Sequence, residues 1–92
     1  PMINFFRDKN MAVITSRFVL TGASTILFVV HNSADGIWEF YGKEELDNDD
    51  LKVVSIDEIL QIDCSILELR HMSQGRYAYR EFEGDSWTIL EE

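Results

Sequence analysis

The chain has 92 residues, a formal net charge of −9, and a composition that is 46% hydrophobic and 27% charged. This length suits one globular domain, and the composition is that of a folded chain rather than a disordered one. The negative charge argues against binding to nucleic acid or anionic lipid. No apolar run approaches the roughly 20 residues that a membrane helix needs.

We expect no secretory leader, since no basic stretch at the N-terminal end is followed by a long apolar one. We expect residues 1–10 to be a flexible or peripheral segment of a single domain over 1–92. Cys64 is the one cysteine, which excludes an internal disulfide and favours a reduced, partly buried thiol. Together these features predict a cytoplasmic protein.

The first half of the chain predicts short strands separated by turns. Strands are expected over 11–15, 24–31 and 37–41, where β-branched and aromatic residues are concentrated. The apolar run within 24–31 indicates a strand buried on both faces. Residues 16–22 are expected to be a connection, and Asp35-Gly36 predicts a hairpin turn before the third strand.

The second half of the chain predicts a helical region between two further groups of strands. The acidic residues 43–50 are expected to form a loop, followed by a strand over 51–54. Ser55 with Glu58 has the spacing of a capping box, and Asp63 is a favoured N-cap for a second helical turn. Residues 76–82 and 86–90 read as a final hairpin. The predicted fold is α+β, with a mostly antiparallel sheet of about five or six strands and one or two short helices on one face.

The residues that could support catalysis do not have a catalytic arrangement. His31, Ser33 and Asp35 are the residue types of a hydrolase triad, but they are crowded into one turn. Cys64 and His71 could share a helix face two turns apart, yet no third partner or oxyanion feature accompanies them. We therefore expect no enzymatic activity.

The sequence also gives no pattern for a metal, a cofactor or a nucleic acid. Asp47 could begin a calcium loop that ends at Glu58, but the sixth position is Lys52 instead of Gly. Arg76 and Arg80 alternate with tyrosines in a stripe that could face a nucleic acid, but the net charge opposes this. We expect no cofactor, no metal, no nucleic acid and no membrane as a partner.

The aromatic residues of the predicted strands alternate in direction. Alternation places Trp38 and Phe40 on one face of their strand and Glu39 and Tyr41 on the other. Tyr77 and Tyr79 likewise share a face. Core packing accounts for such residues, and a Tyr/Trp/Arg patch for a protein partner is the alternative.

The acidic residues are concentrated in one segment. Between Asp35 and Glu68 there are eleven acidic residues and two basic ones, whereas the rest of the chain is neutral. A well-solvated face and a surface that attracts a basic partner both account for this segment.

The order of several short motifs resembles that of a small bacterial family. The motifs are VITSR over 13–17, WEFYG over 38–42, VVSIDEIL over 53–60, DCSI over 63–66 and GRYAYR over 75–80, followed by Trp87. This family was formerly known only as a domain of unknown function and is now predicted to be immunity protein family thirty-three, found beside polymorphic toxins. The resemblance covers about residues 13–87 and implies a role in toxin neutralisation.

These features lead to two functional hypotheses. The first is a bacterial, non-enzymatic protein that neutralises a toxin by occupying a basic surface of it, with the Asp35–Glu68 surface as its contact face. The second is a homodimeric interaction or scaffold module that associates through its aromatic sheet face. The residues expected to contact a protein partner are Glu44, Glu45, Asp47, Asp49, Asp50, Trp38, Tyr77, Tyr79 and Arg80.

Overall fold

The computed structural model describes residues 8–91, so that most of the N-terminal segment predicted over 1–10 lies outside the described residues. The strands in this range are β1 Ala12–Ser16, β2 Phe28–His31, β3 Trp38–Tyr41, β4 Leu51–Ser55, β5 Arg76–Tyr79 and β6 Thr88–Glu91. The helices are α1 Arg17–Leu20 and α2 Ile56–Ile62, with 3-10 helices over Asn48–Asp50 and Cys64–Leu69.

The six strands of the described range form one sheet in the order β4-β1-β3-β2-β5-β6. β1 and β3 are parallel, and the other neighbouring strands are antiparallel. The predicted α+β class with a mostly antiparallel sheet is confirmed. None of the helices within residues 8–91 is long and apolar enough to cross a membrane.

The strand predicted over 24–31 is shorter than expected and is buried on one face only. It begins at Phe28, because Ser24 turns away to donate its N–H to the carbonyl of Phe18 in α1 at 3.0 Å. The Phe28 side chain is 37% exposed, whereas Val29 beside it is fully buried. The prediction of burial on both faces is therefore wrong, and the strand follows the usual alternation of a sheet with one open face.

The connection predicted over 16–22 contains the single-turn helix α1. The hydroxyl of Ser16 accepts a hydrogen bond from the N–H of Val19 at 3.2 Å, which caps this turn. Val19 is buried in the core. The helix α1 has only four residues, which is too short for a helical repeat of apolar residues to show in the sequence.

The helical region between β4 and β5 has the caps that the sequence predicts. The Ser55 hydroxyl accepts from the N–H of Glu58 at 3.2 Å and begins α2. Asp63 accepts from the N–H of Ser65 at 3.0 Å and begins the second segment, which is a 3-10 helix. Asp63 itself has an extended backbone, so the two segments are separate helices joined at that residue.

The core lies between one face of the sheet and these helical segments. Its buried side chains from the strands include Val13, Val29, Trp38, Phe40 and Ala78. The helical layer contributes Ile56, Ile59, Ile66 and Leu69, all at most 1% exposed. The other face of the sheet is left without a covering layer from residues 8–91, and this asymmetry positions the candidate site.

Candidate protein-binding surface

The uncovered face of the sheet is mainly apolar and aromatic. Strand register places one row of side chains across all of the described strands: Val53, Ile14, Glu39, Val30, Tyr77 and Leu90. A second row contains Leu51, Tyr41, Phe28 and Tyr79. We call these ten residues the open face. Val53 is 72% exposed and Leu90 is 40% exposed, so large apolar surface is in contact with solvent.

The aromatic residues of the open face are ordered by their neighbours. Phe28 and Tyr77 stack with their ring centroids 5.5 Å apart. Tyr79 is the direct cross-strand neighbour of Phe28 and is exposed. The predicted shared face of Tyr77 and Tyr79 is confirmed, and both lie where a protein partner could contact them.

Glu39 is the one charged residue among the ten of the open face and lies near its middle. Its Oε1 accepts a hydrogen bond from the hydroxyl of Tyr41 at 2.7 Å, and its Oε2 accepts from Nδ2 of Asn32 at 2.9 Å. Its neighbours across the strands are Ile14 and Val30. The two hydrogen bonds fix the direction of a carboxylate that is surrounded by apolar side chains.

The same contact alters the titration of Tyr41. Partial burial raises the pKa of the Tyr41 hydroxyl, and the hydrogen bond to Glu39 and the negative charge of Glu39 raise this pKa further. Tyr41 therefore remains a protonated donor at neutral pH, and Glu39 keeps its hydrogen-bond partner.

The acidic loop over residues 43–50 adjoins the open face. It leaves β3 after Tyr41 and enters β4 at Leu51, and both of these residues belong to the second row of the open face. Because β1 lies between β3 and β4 in the sheet, the loop passes over the end of β1. Its carboxylates are thus placed along one rim of the apolar surface.

Two of the five predicted carboxylates in this loop have structural partners. Glu44 accepts a hydrogen bond from the Ser24 hydroxyl. Asp50 forms an ion pair with Nε of Arg17 at 2.7 Å and also accepts from the N–H of Asp47 at 3.0 Å. The hydrogen bond from Arg17, followed by that from the Asp47 backbone, lowers the pKa of Asp50.

The other three carboxylates, on Glu45, Asp47 and Asp49, are exposed. They can therefore act on an approaching partner, while Glu44 and Asp50 hold the loop in position. Of the five carboxylates predicted to bind a partner, these three are therefore the ones that face solvent.

The whole acidic segment does not form a single face. Asp35 lies in the β2–β3 turn, at the opposite end of β3 from the acidic loop. Glu58 and Glu68 are exposed on the helical layer, on the other side of the sheet from the open face. The expectation that the Asp35–Glu68 surface is one contact face is therefore wrong, because this segment spans both ends of β3 and then passes from the sheet to the helical layer.

Trp38 and Arg80 are buried and cannot contact a partner in this fold, which corrects their prediction as partner-binding residues. Trp38 is 2% exposed and stacks on His31 with a centroid distance of 4.0 Å. Arg80 is 4% exposed. Both lie on the covered face of the sheet, which alternation alone does not distinguish from the open one.

Arg80 instead connects the sheet to the 3-10 helix that follows α2. It donates to the carbonyl of Ile26 at 2.9 Å and to Oδ2 of Asp63 at 2.5 Å, and its guanidinium lies 4.2 Å from the ring centroid of Trp87. Burial opposes ionisation of Asp63, but hydrogen bonds from Ser65 and Arg80 outweigh it and lower the pKa of this carboxyl. Arg80 is a structural residue.

The residues of the rejected triad serve the β2–β3 turn and the core. Asp35 Oδ1 accepts from the N–H of Ile37 at 2.9 Å, and Nδ1 of His31 lies 2.9 Å from the Met72 carbonyl oxygen. Ser33 is exposed. The three side chains therefore have separate local roles.

Cys64 is exposed, so its prediction as a partly buried thiol is wrong. It is the first residue of the 3-10 helix Cys64–Leu69, which ends before His71. The α-helical spacing that would bring Cys64 and His71 to one face does not apply. Within residues 8–91 no group of three or more His, Cys, Asp and Glu side chains is arranged to hold a metal ion.

Sequence reasoning missed the apolar part of the site. The sequence predicts Phe28, Val30 and Val53 only as strand residues, and it places Glu39 on the face opposite Trp38 without indicating a partner. Alternation around Trp38 and Phe40 did carry the signal for Glu39, since it puts the carboxylate on the face that the core does not occupy.

Comparison of the chain with protein-family models, with curated proteins and with solved structures finds no match. The geometry of this surface and the resemblance described above are therefore the grounds for assigning a function.

Proposed function

We propose that the protein is a non-enzymatic, cytoplasmic bacterial protein that binds and neutralises a toxin by occupying a basic surface of it. The observation that carries the proposal is the open face of the sheet, an exposed apolar and aromatic surface bordered by the acidic loop. An apolar centre with a charged rim is the usual composition of a protein-binding surface. A neutralising protein needs a rigid complementary surface and no catalytic group.

The charge of the protein supports a basic partner. The net charge is −9, and Glu45, Asp47 and Asp49 are exposed at the rim of the open face. Such a field attracts a basic surface and speeds its association, most strongly at low ionic strength. The active cleft of a nuclease is basic, so a nuclease toxin would fit this chemistry.

The motif order that resembles an immunity family supports a toxin as the partner. The motif WEFYG contributes Glu39 and Tyr41 to the open face, and GRYAYR contributes Tyr77 and Tyr79. The residues that carry the resemblance therefore include residues of the proposed binding surface.

A homodimeric interaction module is the second candidate. The exposed side chains of Phe28, Val53 and Leu90 favour it, because exposed apolar sheet surface is often covered by a second copy. Two chains of charge −9 would repel each other in such a dimer. The proposal of a basic partner therefore takes precedence.

The test begins with affinity capture of the partner from the source bacterium. The captured protein is expressed alone and together with this chain. We expect expression alone to arrest growth and co-expression to restore it. Growth arrest that persists despite formation of the complex would contradict neutralisation, and a harmless partner would contradict the toxin assignment.

The association rate with the purified partner then tests the acidic loop. Glu45→Gln combined with Asp49→Asn should slow association several-fold at low salt, because both carboxylates are exposed at the rim. The matched control is Glu58→Gln with Glu68→Gln, which removes the same charge from the helical layer. Equal rates for the two variants in stopped-flow measurements at low and high salt would contradict steering by the loop.

A further inference from the structure

We propose that the open face is a docking site for an arginine side chain of a protein partner, with the Glu39 carboxylate as its anchor. The inference rests on the proposed function and specifies the chemistry of the partner surface: one arginine within an otherwise apolar patch. Glu39 was not among the residues that the sequence predicted to bind a partner.

No cationic side chain among residues 8–91 forms an ion pair with the Glu39 carboxylate. The ion pairs among residues 8–91 are Arg17 with Asp50, Arg76 with Glu91 and Arg80 with Asp63, so Glu39 takes part in none of them. Each carboxylate oxygen accepts one hydrogen bond, from Tyr41 and from Asn32, and retains a further acceptor position. Glu39 is thus an oriented carboxylate with free acceptor capacity on an apolar surface.

The groups around this carboxylate suit a guanidinium better than an ammonium ion. A guanidinium is planar, donates two parallel hydrogen bonds to a carboxylate and stacks on aromatic rings. Tyr41 lies two residues along the same strand. Phe28 lies on the adjacent strand β2 and stacks on Tyr77 of β5, the next strand of the sheet. A strongly hydrated ammonium ion would gain less from these rings.

Charge argues against a second copy as the occupant. A two-fold arrangement over the centre of the face would bring two Glu39 carboxylates together within an apolar contact. With six strands of four or five residues spaced about 4.8 Å apart, the face measures about 400 Å². A stable interface needs about 800 Å² per partner, so the occupant must also cover neighbouring surface. The neighbouring acidic loop favours a basic occupant.

The experiment uses three short peptides as probes of the intact protein. They are acetyl-Leu-Arg-Leu-amide, the same peptide with lysine, and the same peptide with citrulline, which is a neutral isostere of arginine. We expect the arginine peptide to shift the backbone amide NMR signals of β2, β3 and β5. The citrulline peptide should bind about fivefold more weakly or worse, since it lacks a charge-assisted hydrogen bond. The lysine peptide should fall between them.

Two variants locate the effect. Glu39→Gln keeps the size of the side chain and should abolish the preference for arginine over citrulline. Glu68→Gln removes the same charge from the helical layer, away from the open face, and should leave that preference unchanged. Equal binding of both peptides to the wild type, or an unchanged preference in Glu39→Gln, would overturn the proposal. A preference lost in Glu68→Gln would overturn it as well, and so would signal shifts confined to residues 43–50.

Tyr79→Ser gives a second test that does not depend on the folding of Glu39→Gln. Tyr79 is exposed, so its replacement should leave the fold intact and weaken the binding of all three peptides. Unchanged binding would overturn the assignment to this face. A dimer that dissociates on Val53→Asp in sedimentation equilibrium would assign the face to a second copy and also overturn the proposal.

The inference and the proposed function can fail separately. If Glu39→Gln still neutralises the captured toxin with unchanged affinity, the docking site is wrong and the function stands. If the arginine preference is present but the captured partner is not a toxin, the docking site stands and the function is wrong.

Discussion

The guanidinium of Arg80 holds together two parts of the molecule that lie far apart in sequence. It bonds to the carbonyl of Ile26, at the entry to β2, and to Asp63 and Ser65 at the start of the 3-10 helix. Its side chain is 1% exposed in this ion pair. A buried guanidinium is tolerated because its donors are satisfied and its plane rests against the ring of Trp87.

Replacing Arg80 should therefore destabilise the protein strongly. We expect Arg80→Ala to lower the free energy of unfolding by about 3–5 kcal/mol, because it removes the cation that pairs with Asp63 and the donor to the Ile26 carbonyl. Arg76→Ala is the matched control, since Arg76 is on the same strand and forms an exposed ion pair with Glu91. Its cost should be below about 1 kcal/mol. Urea unfolding of both variants measures the difference, and similar costs would contradict the structural role of Arg80.

Single residues also show why sequence reasoning about the site was incomplete. The alternation of Trp38, Glu39 and Phe40 was predictable, because it follows from the pleat of any strand. The burial of Arg80 was not, since charged residues are rarely buried unless they are paired. That pairing depends on Asp63, which is 17 residues away in sequence and belongs to another layer.

At the scale of elements, the acidic loop is held in place by a close approach to the segment before β2. A Cβ at Gly42 would lie 2.7 Å from Ser24 Cβ and 2.8 Å from Glu44 Oε1. Only glycine leaves room there for the hydrogen bond between Ser24 and Glu44. This contact fixes the direction in which the loop leaves β3. It thereby also determines where the exposed carboxylates of Glu45 and Asp49 lie.

Gly42→Ala should destabilise the protein by about 1–3 kcal/mol, since the added methyl group overpacks this contact. The cost should be smaller in a Ser24→Gly background, where the opposing Cβ is absent. A double-mutant cycle by urea unfolding measures this coupling. An equal cost in both backgrounds would show that Gly42 is required for another reason.

The elements differ in how far they could be predicted. The β2–β3 hairpin, the capped α2 and the final hairpin were predicted because their signals are local turn and cap residues. The sequence did not predict that residues 24–27 lie outside the strand, since their departure from the sheet depends on the hydrogen bond from Ser24 to Phe18 in α1. The sequence also did not predict which face of the sheet is open, because long-range packing decides which face the helical layer covers.

For the whole molecule, the net charge of −9 has a thermodynamic effect beyond partner attraction. Folding brings the carboxylates closer together than they are in the unfolded chain, and their repulsion opposes the compact state. Salt weakens this repulsion, since the Debye length falls from about 30 Å at 0.01 M to about 3 Å at 1 M.

We therefore expect the free energy of unfolding to rise as NaCl is increased over this range. Glu45→Gln with Asp49→Asn should be at least as stable as the wild type at low salt, and its gain with salt should be smaller. Urea unfolding at several NaCl concentrations measures both trends. Identical salt dependence in the two proteins would show that the loop carboxylates contribute nothing to the repulsion.

The strand order has a consequence for how the chain reaches its native state. β2 lies inside the sheet, yet it pairs with β5 across about fifty residues. During synthesis the β2–β3 hairpin can form early, but one edge of β2 has no neighbour until β5 has been made. At about 5–20 residues per second, that edge is unpaired for seconds. Pairing between strands so distant in sequence is slow. Until β5 pairs with β2, the exposed edge of β2 can associate with strands of other chains.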